Sequence, residues 1–62
     1  MARPRARVSI VIPALGEERG IAATLSGAIA QADDVVVSDG GSRDRTVEIA
    51  LEMGARVVSG PP

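Results

Sequence analysis

Two short β-branched runs, residues 7–12 and 34–38, flank a stretch whose apolar residues recur at helical spacing. This alternation limits the fold more than any other feature of the chain. The first run, Arg7-Val8-Ser9-Ile10-Val11-Ile12, reads as a buried strand ended by Pro13. A turn over Pro13-Ala14-Leu15-Gly16 follows, with Glu17 and Glu18 where acidic residues favour a helix start. Ile21, Leu25 and Ile29 recur at i, i+4 and i+8, with Ala22, Ala28 and Ala32 beside them, giving one apolar helix face. Gly27 within it costs about 1 kcal/mol relative to Ala, unless it lets the helix pack closely on a sheet.

The second run, Asp34-Val35-Val36-Val37-Ser38, suits a strand covered on both faces. Asp39-Gly40-Gly41-Ser42 is its loop, Ser42 is the expected cap of a second helix, and Asp44 falls in the first turn. Val47, Ala50 and Leu51 form the expected inward stripe, and Gly54 is the residue that ends the helix. Arg56-Val57-Val58-Ser59 reads as a third strand before the loop signal Gly60-Pro61-Pro62. The order β-α-β-α-β with short connections predicts an α/β fold with a parallel sheet and right-handed crossovers. Such a sheet is half of a doubly wound domain, and at least one strand edge is expected to lack a partner.

Composition sharpens this reading. The chain has 62 residues and no Cys, His, Lys or aromatic residue, so Ala, Val, Ile and Leu must build the core. Neither a disulfide nor a Cys/His metal site can support it, and low stability is expected for the isolated chain. Seven Arg against eight Asp and Glu, a net charge of −1, argue against a nucleic-acid surface. Arg3, Arg5 and Arg7 make a basic start, read as a frayed terminus over residues 1–6. The apolar run before Pro13 is too short for a signal peptide or a membrane span, so the cytoplasm is the expected compartment.

In an open parallel sheet, ligands bind beyond the carboxyl ends of the strands. The loop after Asp39 has two glycines that allow positive φ and close approach to a ligand. A helix start there offers N–H groups to an anion or a polar ring, and the Asp39 carboxylate can accept from a base N–H or a ribose hydroxyl. The alternative is a tight turn in which Asp39 caps backbone amides. Glu17 and Glu18 admit a similar choice between a site and a dipole-complementing helix start. Arg43 and Arg45 face either phosphates or solvent. The dinucleotide and P-loop fingerprints are absent, a Ser nucleophile would lack a His base, and the loop after the first strand is unlike that of sugar-nucleotide pyrophosphorylases.

Together the two loops resemble family 2 glycosyltransferases. The opening strand of that family reads roughly V-S-[IV]-[IV]-I-P followed by x-[YL]-N-E-E, matched here by Val8 through Glu18. Its second strand runs into V-D-[DG]-G-S-x-D-x-T, matched by Val37 through Thr46. The form with two glycines looks most like a bacterial subgroup with a V-x-D-G-G-S-x-D-x-T loop. Gly16 replaces the usual Asn, Leu15 a frequent Tyr, and Gly40 a frequent second Asp.

The resemblance implies that residues 1–62 are one partial domain, the β-α-β-α-β half of a GT-A, Rossmann-like nucleotide-binding fold. It implies a nucleotide-diphosphate-sugar donor whose base or ribose meets Asp39, with Pro13, Ala14 and Glu17 lining the pocket beside Gly40 and Gly41. It also implies a parent enzyme using a divalent metal, Mg or Mn, and transferring a sugar to an acceptor hydroxyl. The metal-binding DxD motif of the family lies on a later strand and does not occur in this chain. Asp33-Asp34 sits at the amino end of the second strand, the wrong edge to replace it. No metal, catalytic base or transfer activity is therefore expected of this segment by itself. Two other readings stand beside this one: a small non-catalytic α/β module that binds a nucleotide or a protein, self-associating through an open sheet edge, and a remnant without a stable fold.

Overall fold

The computed structural model describes residues 7–60. The expected frayed start, residues 1–6, lies outside them. Five elements follow in order: β1 (Ser9–Ala14), α1 (Ile21–Gln31), β2 (Asp34–Asp39), α2 (Thr46–Glu52) and β3 (Arg56–Ser59). The three strands form one parallel sheet in the order β1-β2-β3. This is the β-α-β-α-β arrangement that the alternation predicts.

β1 runs through Pro13 to Ala14 instead of stopping at Ile12. The Val8 and Ala14 carbonyls accept from the N–H groups of Asp34 and Gly40, at the two ends of the neighbouring strand β2. Even-numbered residues of β1 thus turn their backbone groups towards β2, and odd-numbered ones towards the outer edge. Pro13 has no N–H, and on that edge the loss breaks no ladder bond. β2 extends one residue beyond the expected run and takes in Asp39.

Strand alternation sorts the side chains onto two faces. Ile12, Ala14, Val35, Val37 and Val57 share the face that packs against Ile21, Leu25, Ala28, Ile49, Ala50 and Met53 of the helices. Leu25, Val37 and Ala50 are fully buried. The opposite face carries Val11, Val36 and Val58, with Val11 aligned on Val36. Among the described residues no helix covers that face, and Val11 stays 63% exposed and Val58 47%. The expectation of a sheet covered on both sides therefore fails, although flanking strands bury Val36.

Both helices depart from the expected stripes. At about 100° per residue, Ile29 lies about 80° around the axis from Ile21, whereas Ala28 lies about 20° away. Ala28 accordingly packs on the core, while Ala22 and Ile29 face outward. In α2 the buried residues are Thr46 and Ala50, Val47 is half-buried, and Leu51 is 57% exposed. The phase of α2 is set by the buried Thr46 hydroxyl, described below. Gly54 ends α2 as expected, at φ +89°, with Ala55 N–H donating to the Ala50 carbonyl.

Gly27 does not approach the sheet: it is exposed, and a Cβ there would meet nothing within 4 Å. Only its helix-propensity cost remains. Gly27→Ala is expected to stabilise the chain by about 1 kcal/mol, read as a higher urea midpoint with an unchanged slope. A lower midpoint would show that the position is packed.

Candidate functional site

Three strand ends meet at the carboxyl edge of the sheet. The chain leaves β1 through residues 15–20, leaves β2 through residues 40–45, and leaves β3 at Gly60. The first two loops are tied together along their length. Gly40 N–H donates to the Ala14 carbonyl at 2.9 Å. Gly16 N–H donates to Ser42 Oγ at 3.0 Å, Glu17 N–H to Thr46 Oγ1 at 2.8 Å, and Glu18 N–H to Asp44 Oδ2 at 3.3 Å. Consecutive amides of one loop thus meet alternate side chains of the other.

This arrangement changes several expected roles. Ser42 does not cap α2; its hydroxyl serves Gly16. Asp44 precedes α2 and accepts from the Thr46 N–H and hydroxyl through Oδ1, so it holds the start of α2 from outside. Glu17 and Glu18 lie before α1, whose first turn has no acidic residue. The Glu17 carbonyl accepts from Gly20 and Ile21, at 3.0 and 2.8 Å. Its peptide groups therefore join the starts of both helices. Gly16, at φ +62°, adopts the left-handed conformation that Gly and Asn tolerate best.

Asp39 is 6% exposed, although it is charged. Oδ2 accepts from Gly41 N–H and Ser42 N–H, and Oδ1 from Ser42 N–H, each at 3.2 Å. Asp39 thus caps its own loop, and acceptor capacity remains on the carboxylate. Gly41 makes the turn at φ +107°. Gly40 does not use positive φ; it lies close beneath the first loop, where a Cβ would come within 3.7 Å of the Ala14 carbonyl. Ala14 is buried and aligned on Asp39 in the sheet. Pro13 and Glu17 come together elsewhere, on a cavity of about 200 Å³ shared with Ile12, Ile21 and Thr24.

The N–H groups expected to await an anion are largely taken: Gly41 and Ser42 serve Asp39, and Thr46 serves Asp44. Arg45 turns along its own helix to Glu48 and Glu52, while Arg43 stays exposed. At the opposite edge, Asp34 pairs with Arg56 at 2.8 Å and Asp33 accepts from Val8 N–H, so both lie away from the loops. Among the described residues no group of three or more Asp, Glu, Cys or His could hold a metal ion. A divalent cation does not fit the residues present. No helix among them is long and apolar enough to cross a membrane.

Sequence reasoning missed Thr46 and misjudged Ser42 and Asp44. The available signal was the alternation Ser-x-Asp-x-Thr, which extended chain can aim at a neighbouring loop.

Three carboxyls are held below their ordinary value of 3.8. The cause is the Thr46 hydroxyl for Asp44, the Ser42 hydroxyl for Asp39 against the opposing effect of burial, and the Arg56 guanidinium for Asp34. A depressed folded pKa lends stability that is complete above the unfolded value. Stability should therefore hold above pH 3.8 and fall as acid carries the pH down through the lowered values. Asp44→Asn should lower the melting temperature at neutral pH and flatten this acid dependence. Thermal melts across the acid range check both, and an unchanged acid slope would contradict the assignment to Asp44.

Comparison with known proteins agrees with this fold. The sequence model of Glycosyl transferase family 2 matches residues 9–61. No curated protein matches the chain. Among solved structures, glucosyl-3-phosphoglycerate synthase from Mycobacterium tuberculosis, in complex with Mn2+, uridine diphosphate and glucosyl-3-phosphoglycerate, is 39% identical with a TM-score of 0.73. That match covers 87% of this chain and 21% of the other. The same enzyme with uridine diphosphate is 33% identical at a TM-score of 0.72, covering 95% of this chain and 27% of that one. The chain therefore spans about a fifth to a quarter of the length of these relatives. With the family match extending over nearly all the described residues, and the β-α-β-α-β half of a GT-A fold in place, the chain belongs to glycosyl transferase family 2.

Proposed function

We propose that residues 1–62 are one donor-binding segment of a glycosyltransferase domain, and that the carboxyl edge of the sheet takes the nucleoside of a nucleotide-diphosphate sugar. The observation that carries this reading is the pair of interlocked loops with Asp39 beneath them; Pro13 and Glu17 line a separate cavity at the start of the first loop. In it, Asp39 accepts from a base N–H or a ribose hydroxyl. Gly40 and Gly41 keep the second loop low enough for a ring to approach, and Pro13, Ala14 and Glu17 border that ring. The relatives solved with uridine diphosphate and with uridine-diphosphate-glucose support a donor of this class.

Transfer of the sugar to an acceptor hydroxyl belongs, in this proposal, to a longer enzyme. A divalent metal there would offset the charge of the diphosphate leaving group, and the Mn2+ complexes of the relatives support that part. Its ligands would come from outside the described residues. The two-glycine loop, Asp39-Gly40-Gly41-Ser42, is the basis for proposing a bacterial subgroup with this sequence.

A second reading draws on the bare sheet face. Val11 and Val58 are exposed there, as a non-catalytic module that pairs with another protein would have them. Titration of the chain with uridine diphosphate, followed by two-dimensional amide NMR, separates the two. The transferase reading expects shifts at Pro13–Glu17 neighbours and at residues 39–41. The Glu17 carboxylate makes none of the bonds that hold the loops, which use its peptide groups. Glu17→Gln should therefore weaken binding about threefold to tenfold, at about 0.7–1.4 kcal/mol, with an unchanged melting temperature. A folded chain that ignores uridine, guanosine and thymidine diphosphates and dimerises would favour the protein-binding module.

A further inference from the structure

We infer that Thr46, with Asp44 and Ser42, is the positioning device of this half-site: the Thr46 hydroxyl sets where the first loop, and Glu17 with it, stands relative to Asp39. The inference rests on the donor-binding reading above and adds residues that do not themselves border the nucleotide.

Four observations converge on Thr46. It is 0% exposed although polar. Its hydroxyl accepts from Glu17 N–H and donates to Asp44, so both of its bonding roles are used. Asp44 reaches on to Glu18 N–H, so the hydroxyl and the carboxylate bind neighbouring amides of the first loop. The Glu17 carbonyl, in turn, accepts from the start of α1. A displacement of Thr46 is therefore passed to the Glu17 backbone and to the first residue of α1. Ser42 completes the set at Gly16 N–H, while its own N–H donates to Asp39. The side chains that place the first loop are thereby tied to the carboxylate of the second.

The arrangement also selects ligand chemistry. The amides of Gly16, Glu17, Glu18, Gly40, Gly41 and Ser42 are all engaged within the protein. What these residues still offer at the edge are carbonyl and carboxylate oxygens, which accept hydrogen bonds. Hydrogen-bond donors on a base or ribose match those oxygens, which leaves exposed Arg43, not the loop amides, as the second loop's donor to a phosphate. Loss of the Thr46 hydroxyl frees an amide donor and moves the acceptors out of register.

The test compares Thr46→Val and Thr46→Ser. Val keeps the shape and removes the hydroxyl; Ser keeps the hydroxyl and leaves a methyl-sized void. Uridine diphosphate is the probe, with affinity from amide shifts and stability from the urea midpoint. Leu25→Val, a void in the core away from the loops, is the control for general destabilisation. Thr46→Val should weaken binding about tenfold or more, and Thr46→Ser should stay within about threefold of the native affinity although its midpoint falls. Leu25→Val should lose stability without losing affinity. Affinity that follows the midpoint across all three variants, or a Thr46→Val chain that binds like the native one, overturns the inference while sparing the donor-binding reading. A native chain that ignores the nucleotide overturns both. Should Thr46→Val fail to fold, Ser42→Ala, which frees only Gly16 N–H among the first-loop amides, carries the same comparison with an expected loss of about threefold.

Discussion

The amides of Gly16, Glu17 and Glu18, held by Ser42, Thr46 and Asp44, are the constraint on which the rest of the structure depends. A parallel sheet fixes the separation of strand ends but leaves the loops beyond them free. Here the loops are not free, because polar side chains of one take the backbone donors of the other. The bonds also fix the phase of α2. With its hydroxyl turned towards the first loop, Thr46 is buried, Ala50 follows one turn later, and Leu51 is carried to the surface. In a chain without aromatics or disulfides, such polar closure supplements a core of small aliphatic residues.

The same bonds shape the electrostatics of the edge. Asp39 and Asp44 remain ionised because hydroxyl and amide donors surround them. Glu17 and Glu18 stand exposed beside them, and Arg45 is drawn away to Glu48. In the proposed complex the acceptors of this edge suit the nucleoside, and exposed Arg43 is a charge that its second loop offers to a phosphate.

Much of this was legible in the sequence. The β-branched runs and the apolar stripe yield the element order, the parallel sheet and the edge where the loops gather. Gly54 and Gly41 mark turns that need positive φ, and both have it. What escaped depends on partners distant in sequence. Pro13 looks like a strand terminator, yet on an outer edge its missing N–H costs nothing. Ser42 looks like a helix cap, yet its hydroxyl is drawn across to Gly16, 26 residues away in sequence. Ile29 and Leu51 fit apolar spacing, yet helix phase turns them outward. The pocket roles expected of Pro13, Ala14, Glu17, Asp39, Gly40 and Gly41 came from resemblance to a family. Their burial and bonds add a geometry: Asp39 caps its own loop and keeps acceptor capacity, and Pro13 with Glu17 borders a separate cavity.

Amide hydrogen exchange on the unmodified chain tests the interlocking of the loops most directly, because hydrogen-bonded amides exchange only when the structure opens. The expected result is protection of Gly16, Glu17 and Glu18 comparable to that of Val35 and Val37 in β2, although the three lie in an exposed loop. If they exchange as fast as an unstructured peptide while β2 remains protected, the loops are not locked to each other, and the central constraint of this structure is wrong.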